Sequence, residues 1–258
     1  MPRSQRPQED FDSESEPNNS RRFTPCPGLS ENFKTDKLVL TCKGCHRFFA
    51  LCCHHYDPDL GLDEQTSCHR DLVVYTDGAC SNNGRDNAAA GIGIAWGPSG
   101  GNGDNVLALP IDDTLDPGGM RTSQRAELLA AFEGLKRICD FEAEHLAKRR
   151  KKHSGDDSDM PVIVITTDSL YVVKGMTEWL PVWKAQGLRK VGGGQPSNLD
   201  LFHKLEAEAE ARERRYDCKV KFWHIARKYN HIADGLAKRG AQAAKVNKAE
   251  HAFSLLGL

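Results

Sequence analysis

Two apolar runs, Leu72-Val-Val-Tyr-Thr76 and Pro161-Val-Ile-Val-Ile165, constrain this chain more than any other feature, and each leads into an acid, Asp77 and Asp168. Runs rich in β-branched residues, with no polar alternation, are the pattern of strands covered on both faces. A sheet that needs cover on both sides calls for helices, so the expected class is α/β. Gly91-Ile-Gly-Ile-Ala-Trp96 and Val106–Leu109 read as further strands, forming a meander with the first. From Ser123 the apolar spacing turns helical, with Leu128, Ala131, Leu135 and Ile138 on one face. Helices are expected again at Ser169–Glu178 and Leu199–Arg215, then a last strand at Lys219–Trp223 and a last helix at Ile232–Lys245. This order predicts a mixed five-stranded sheet, three antiparallel strands followed by parallel ones, flanked by helices.

The chain has 258 residues, room for one large domain or one domain plus a small module. No apolar run approaches the roughly 20 residues of a membrane helix, so no membrane is expected among its partners. With 35 Lys and Arg against 36 Asp and Glu, the net charge is -1, and any contact with nucleic acid must come from local clustering. Residues 1–22 carry Glu9, Asp10, Asp12, Glu14 and Glu16 among Ser, Pro and Gln, and are expected to be a disordered acidic tail. That stretch resembles neither a secretory signal nor a mitochondrial presequence, so an intracellular location, nuclear or cytoplasmic, is expected. The basic run Lys148-Arg-Arg-Lys-Lys152 reads as a solvated loop, with a nuclear localisation signal as the alternative. Residues 246–258 are expected to be a C-terminal tail.

Each of four acids has an ordinary explanation when taken singly. Asp77-Gly78 fits a hairpin turn, Asp168-Ser169 a helix cap, Asp234 the positive end of the last helix, and Glu127 a surface position. Together they sit at the ends of apolar strands and the starts of helices, Glu127 on the apolar stripe of its helix. Buried carboxylates without cations are costly, so such a cluster implies a metal or a protonated group. All-oxygen ligands select Mg²⁺ or Mn²⁺ over zinc.

Tyr75-Thr-Asp-Gly-Ala-Cys80, Thr122-Ser-Gln-Arg-Ala-Glu-Leu128, Thr166-Thr-Asp-Ser169 and Ala233-Asp-Gly-Leu-Ala237 occur in the order and approximate spacing of the type I ribonuclease H family, which the chain resembles from about Leu72 to Ala241. The resemblance implies a ribonuclease H-like fold, with Asp77, Glu127, Asp168 and Asp234 binding two Mg²⁺ or Mn²⁺ ions. It also implies an endoribonuclease hydrolysing the RNA strand of RNA/DNA hybrids. By the same resemblance, Asn83, Ser123 and Gln124 would meet the hybrid minor groove, and Thr122 and Asn198 a DNA-strand phosphate. Tyr171, Trp179 and Trp183, followed by Lys184, Arg189 and Lys190, resemble the family's grip on the DNA strand, although core packing explains the two Trp equally well. The link before Asp234 is shorter than the family's and lacks its loop histidine. Arg227 or Lys228 is the candidate replacement, with His224 expected on the strand and His231 at the helix start.

The catalytic domain is expected over 71–245, preceded by a Cys/His-rich segment over 23–70. Of nine Cys, six fall before the first strong strand. Cys42-Lys-Gly-Cys45 is a single C-x-x-C knuckle, and two readings stand: a small structural zinc element with Cys42 and Cys45 as ligands and Cys26, Cys52, Cys53, His54, His55, Cys68 and His69 as candidates for the others, or reduced thiols packed against the sheet. The alternatives to the hybrid nuclease are a noncatalytic hybrid- or RNA-binding module and a nuclease of the same fold acting on other structured nucleic acid. No protein partner is inferable, and a monomer is expected.

Overall fold

The computed structural model describes residues 21–100, 105–142, 160–190 and 192–255. The acidic stretch before Arg21 and the basic run 148–152 lie outside them. In chain order the elements are helix α1 (Pro27–Ser30), strands β1 (Val39–Thr41), β2 (Phe48–Ala50), β3 (Asp71–Ser81), β4 (Ala89–Ala95) and β5 (Val106–Pro110), and helix α2 (Ser123–Phe141). Strand β6 (Val162–Thr167), helices α3 (Leu170–Lys174), α4 (Leu180–Ala185) and α5 (Leu199–Tyr216), strand β7 (Lys219–His224) and helix α6 (His231–Leu255) follow.

The five strands expected from sequence are β3 to β7, in the spatial order β5-β4-β3-β6-β7. The β3–β4 and β4–β5 pairs are antiparallel, and β3–β6 and β6–β7 are parallel. Val73, Val74, Ile163, Val164 and Ile165 are fully buried, as continuous apolar strands covered on both faces require. One face of the sheet, with Val74, Ile92 and Ile94, packs with Leu128, Leu135, Val172, Leu180 and Phe202. The other, with Val73, Ala95 and Val164, packs with Leu236 of α6 and with Leu29, Leu38, Phe48 and Leu51.

The sheet has seven strands rather than five, because the Cys/His segment supplies β1 and β2 instead of standing apart. Its Arg-Phe-Phe-Ala-Leu core lies among Cys and His in the sequence, which hides a strand. The ladder between β3 and β4 begins at Tyr75, so the β3 edge near Leu72 is free to pair with Phe49 of β2. Three other boundaries differ from expectation. Arg21 and Arg22 are ordered, with Phe222 donating its N–H to the Arg21 carbonyl at 2.7 Å and Arg21 paired to Glu213 at 2.8 Å. Helix α6 continues to Leu255, through most of the expected tail. The helix expected to end at Glu178 passes through a π-helical turn, Gly175–Trp179, and resumes as α4.

Gly93 fixes where α6 lies. A Cβ added there would sit 2.1 Å from the Ala233 carbonyl oxygen and 2.4 Å from the Ala237 nitrogen, both backbone atoms of α6. Only a bare Cα lets the helix rest on the strand. Gly93→Ala should therefore lower the melting temperature by about 3–10 °C, the consequence of roughly 1–3 kcal/mol of overpacking in a domain of this size. Thermal unfolding followed by circular dichroism measures it, and an unchanged melting temperature would refute the close-approach argument.

Candidate active site

Strand register brings the first two acids together. Tyr75 pairs with Thr166 in the parallel β3–β6 ladder, so Asp77 and Asp168 each lie two residues beyond that pair at the same end of neighbouring strands. Asp77 lies within β3 and Asp168 one residue past the end of β6. Strand β3 runs straight through Asp77 and Gly78 to Ser81, so the Asp-Gly pair makes no hairpin turn. Gly78 serves close approach instead: a Cβ there would lie 2.3 Å from the Glu127 nitrogen. With the strand bare at that point, α2 seats against it and Gly78 N–H donates to Glu127 Oε2 at 3.2 Å. Asp77 pairs across the ladder with Gly93, the residue on which α6 rests, and Asp234 stands in the first turn of that helix.

Asp77, Glu127, Asp234, Ser123, Arg227 and Lys238 line one open cleft of about 480 Å³. Burial, followed by the neighbouring charges of Asp168 and Asp234, pushes the Asp77 carboxyl up to about 7. Burial and the charges of Asp77 and Asp168 push Glu127 up to about 9. Burial also works to raise Asp234, but Lys238 and Arg227 outweigh it and hold that carboxyl below its ordinary value. Arg227 pairs with Asp234 Oδ1 at 2.6 Å while its own side chain is 71% exposed, and Lys238 pairs with Oδ2. Asn230 is fully buried, and its Nδ2 donates to Asp168 Oδ1 at 2.7 Å and to the Thr76 carbonyl at 3.0 Å. Its Oδ1 has no hydrogen-bond partner among the described residues. An all-oxygen donor set with two acids held above their ordinary range suits hard divalent cations, which would relieve the mutual repulsion.

Of the candidate substrate contacts, Ser123 and Arg227 line this cleft, and Asn83, Thr122, Gln124, Tyr171, Trp179, Trp183 and Asn198 lie outside its lining. Asn83 Oδ1 accepts the Ser123 N–H at 2.7 Å, tying the loop after β3 to the start of α2. Thr122 caps α2, accepting from the Arg125 nitrogen at 3.2 Å, and Gln124 is exposed beside it. Asn198 precedes α5 with φ of 56° and donates through Nδ2 to the Tyr171 hydroxyl at 3.0 Å. Arg125 links the starts of the two helices by bridging Asp116 and Asp200. Trp179 and Trp183 are half-buried in an aromatic cluster with Tyr171 and Phe202, so packing accounts for much of their surface. His224 ends β7 exposed and His231 opens α6, as expected. Sequence reasoning gave no role to Lys238, although its position four residues after Asp234 on a helix was a readable signal.

Residues 69–242 match the family model described as RNase H. The chain belongs to the RNase H family. It is 32% identical to ribonuclease H1 of Rattus norvegicus over 178 residues, covering 67% of this chain and 51% of that protein. It is 33% identical to a ribonuclease H of Caulobacter sp. (strain K31) over 169 residues, covering 66% of this chain and 88% of the relative. The chain spans about half the length of the rat relative. A crystal structure of LC11-RNase H1 in complex with RNA/DNA hybrid aligns with a TM-score of 0.43 at 23% identity, covering 67% of this chain and 97% of that one. All four acids of this RNase H family member fall within the matched stretch, and Cys42 and Cys45 fall before it.

The raised carboxyls carry a pH dependence. Asp77 and Glu127 hold protons in the folded, metal-free protein at pH values where the unfolded chain, with carboxyls near about 4, has lost them. The contribution of these two carboxyls to metal-free stability is fully present below about pH 4 and is lost as pH rises through about 7 to 9. Mg²⁺ should raise the melting temperature more at pH 8 than at pH 5, and Glu127→Gln should flatten the pH profile of the chelated protein. Differential scanning calorimetry reads both effects, and a larger Mg²⁺ increment at pH 5 would contradict the electrostatic account.

Proposed function

We propose that this protein is an endoribonuclease that hydrolyses the RNA strand of RNA/DNA hybrids with divalent metal. The observation carrying this reading is the convergence of Asp77, Glu127, Asp168 and Asp234 from two parallel strands and two helices onto one strand end, within the family-matched stretch. Asp77, Glu127, Asp168 and Asp234 would hold two Mg²⁺ or Mn²⁺ ions. Such ions, when bound, make a water nucleophilic at neutral pH and stabilise charge on the leaving oxygen. The side chains around them orient the substrate. Asn83 and Ser123 are already locked to each other, and with exposed Gln124 they present polar groups to a minor groove, where the 2′-hydroxyl marks the RNA strand. Thr122 and Asn198, each at a helix N-terminus, suit a DNA-strand phosphate. Tyr171, Trp179 and Trp183 offer ring edges beside Lys184, Arg189 and Lys190 for the same strand. The name of the rat relative, ribonuclease H1, favours this substrate class. Zinc on Cys42 and Cys45 would have a separate, structural role.

The test is digestion of end-labelled hybrid, double-stranded RNA and double-stranded DNA, each with Mg²⁺ and with chelator. Hybrid alone should be cut, and only with metal. Asp77→Asn should reduce cleavage by roughly 10³-fold or more while hybrid binding persists. Cleavage of double-stranded RNA at an equal rate, or near-normal cleavage by the variant, would overturn the proposal.

Arg227 takes the place of the missing loop histidine in this reading. A guanidinium stays protonated, so Arg227 can hold a phosphate oxygen beside Asp234 but does not readily give up a proton. Arg227→Ala should lower turnover about tenfold, while His224→Ala leaves it within twofold. Steady-state cleavage of one hybrid across pH compares them, and a hundredfold loss for His224→Ala alone would reverse the assignment.

A further inference from the structure

Residues 42–69 hold two clusters of metal-ligating side chains, and along the chain the ligands of the second are nested between those of the first. Cys42, Cys45 and His69 form one trio, and Cys52, His55 and Cys68 form the other, with the ligand atoms of each trio within 4.8 Å of one another. Each begins with a two-residue-spaced knuckle, Cys42-x-x-Cys45 and Cys52-x-x-His55. The adjacent pair Cys68-His69 then divides, Cys68 completing the second trio and His69 the first.

We propose that the N-terminal segment binds two structural zinc ions, one at Cys42, Cys45 and His69 and one at Cys52, His55 and Cys68. A tetrahedral ion with Zn–S of about 2.3 Å and Zn–N of about 2.0 Å sets its ligand atoms roughly 3.5–3.8 Å apart. His69 Nε2 lies 3.0 Å from Cys42 Sγ and 3.9 Å from Cys45 Sγ, and His55 Nδ1 lies 3.4 Å from Cys52 Sγ. The ligand atoms therefore stand near the required spacing. His69 is aimed by two features: its φ of 61°, uncommon for a residue with a side chain, and the stacking of its ring on Phe49 at 4.3 Å between centroids. Two thiolates with one imidazole form a soft set that selects zinc over the hard cations suited to the acid cleft. Each trio supplies three of the four ligands that a closed structural site takes.

The segment has a reason to need such cross-links. Between β2 and β3 its only regular element among the described residues is one 3₁₀ turn, Leu62–Glu64. A chain with so little hydrogen-bonded structure gains most from metal staples. The first site ties the loop before β2 to the entry of β3, and the second ties the exit of β2 to the same entry. Both ends of the irregular stretch would thus be fixed at Cys68-His69.

The test is zinc content by mass spectrometry of the full chain purified without chelator, in an Asp77→Asn background so that the acid cleft contributes little. Two zinc per chain are expected. Cys42→Ser and Cys52→Ser should each leave one, and Cys42→Ser/Cys52→Ser none. Refilling the chelated protein with Co²⁺ should give thiolate-to-metal absorption that saturates at two equivalents, a readout that does not depend on any variant folding. One zinc or none in the parent, or saturation at one Co²⁺, would overturn the proposal. The acid-cleft reading does not bear on this result, since hybrid cleavage and zinc content are measured separately.

Discussion

Close approach of two helices to bare backbone is the constraint on which the rest of the site depends. A side chain at Gly78 would meet the backbone of α2, and one at Gly93 would meet the backbone of α6. These glycines lie at neighbouring positions of the β3–β4 ladder, Gly93 opposite Asp77. The contacts seating the helices therefore also set the distances of Glu127 and Asp234 from Asp77. Register supplies the remaining acid, because parallel pairing of β3 and β6 leaves Asp168 no other end of the sheet. Carboxylates from four elements are positioned by backbone packing, which varies less than side-chain rotamers do.

That arrangement costs stability in the absence of cations. Asp77 and Glu127 are pushed up mainly by burial and then by their acidic neighbours, the mark of groups whose charged forms are disfavoured where they stand. Asp234 escapes because it has Arg227 and Lys238. The cleft is thus divided: Arg227 and Lys238 pair with Asp234, while for Asp77 and Glu127 burial and the acidic neighbours outweigh the influence of Arg227. Divalent ions would fill the electrostatic deficit at Asp77 and Glu127, so metal binding and conformational stability are linked through the same carboxyls.

The parts of this architecture legible in sequence were those encoded by period and composition. Continuous β-branched runs gave β3 and β6, and 3.6-residue spacing gave α2, because a buried face leaves a pattern on every residue it includes. The Asp77-Gly78 pair misled when taken alone, since a turn and a close helix approach both demand glycine and only the tertiary partner distinguishes them. Strand β2 was hidden because three residues of pairing leave no period to count. Cys52 and His55 stood among the candidate zinc ligands, but their pairing was not legible, because Cys53 and His54 stand between them and each is as good a ligand on paper as its neighbour. Asn230 shows another limit. Its hold on Asp168 and on the Thr76 carbonyl joins three elements far apart in sequence, and no local pattern announces such a bond.

The N-terminal segment bears on the site through the face it shares with α6. Leu29, Leu38, Phe48 and Leu51 belong to the same apolar cluster as Leu236, two residues beyond Asp234. Helix α6 packs most densely on β4, where Gly93 admits it, and Leu236 carries that packing into the cluster shared with the segment. The segment covers the part of the sheet that α6 leaves open, and Phe48 donates its backbone N–H to Trp96 at the end of β4. The segment and the helix that carries Asp234 thus share one apolar cluster. The family-matched stretch begins only at residue 69, yet the core that holds its last acid in place extends back to Leu29.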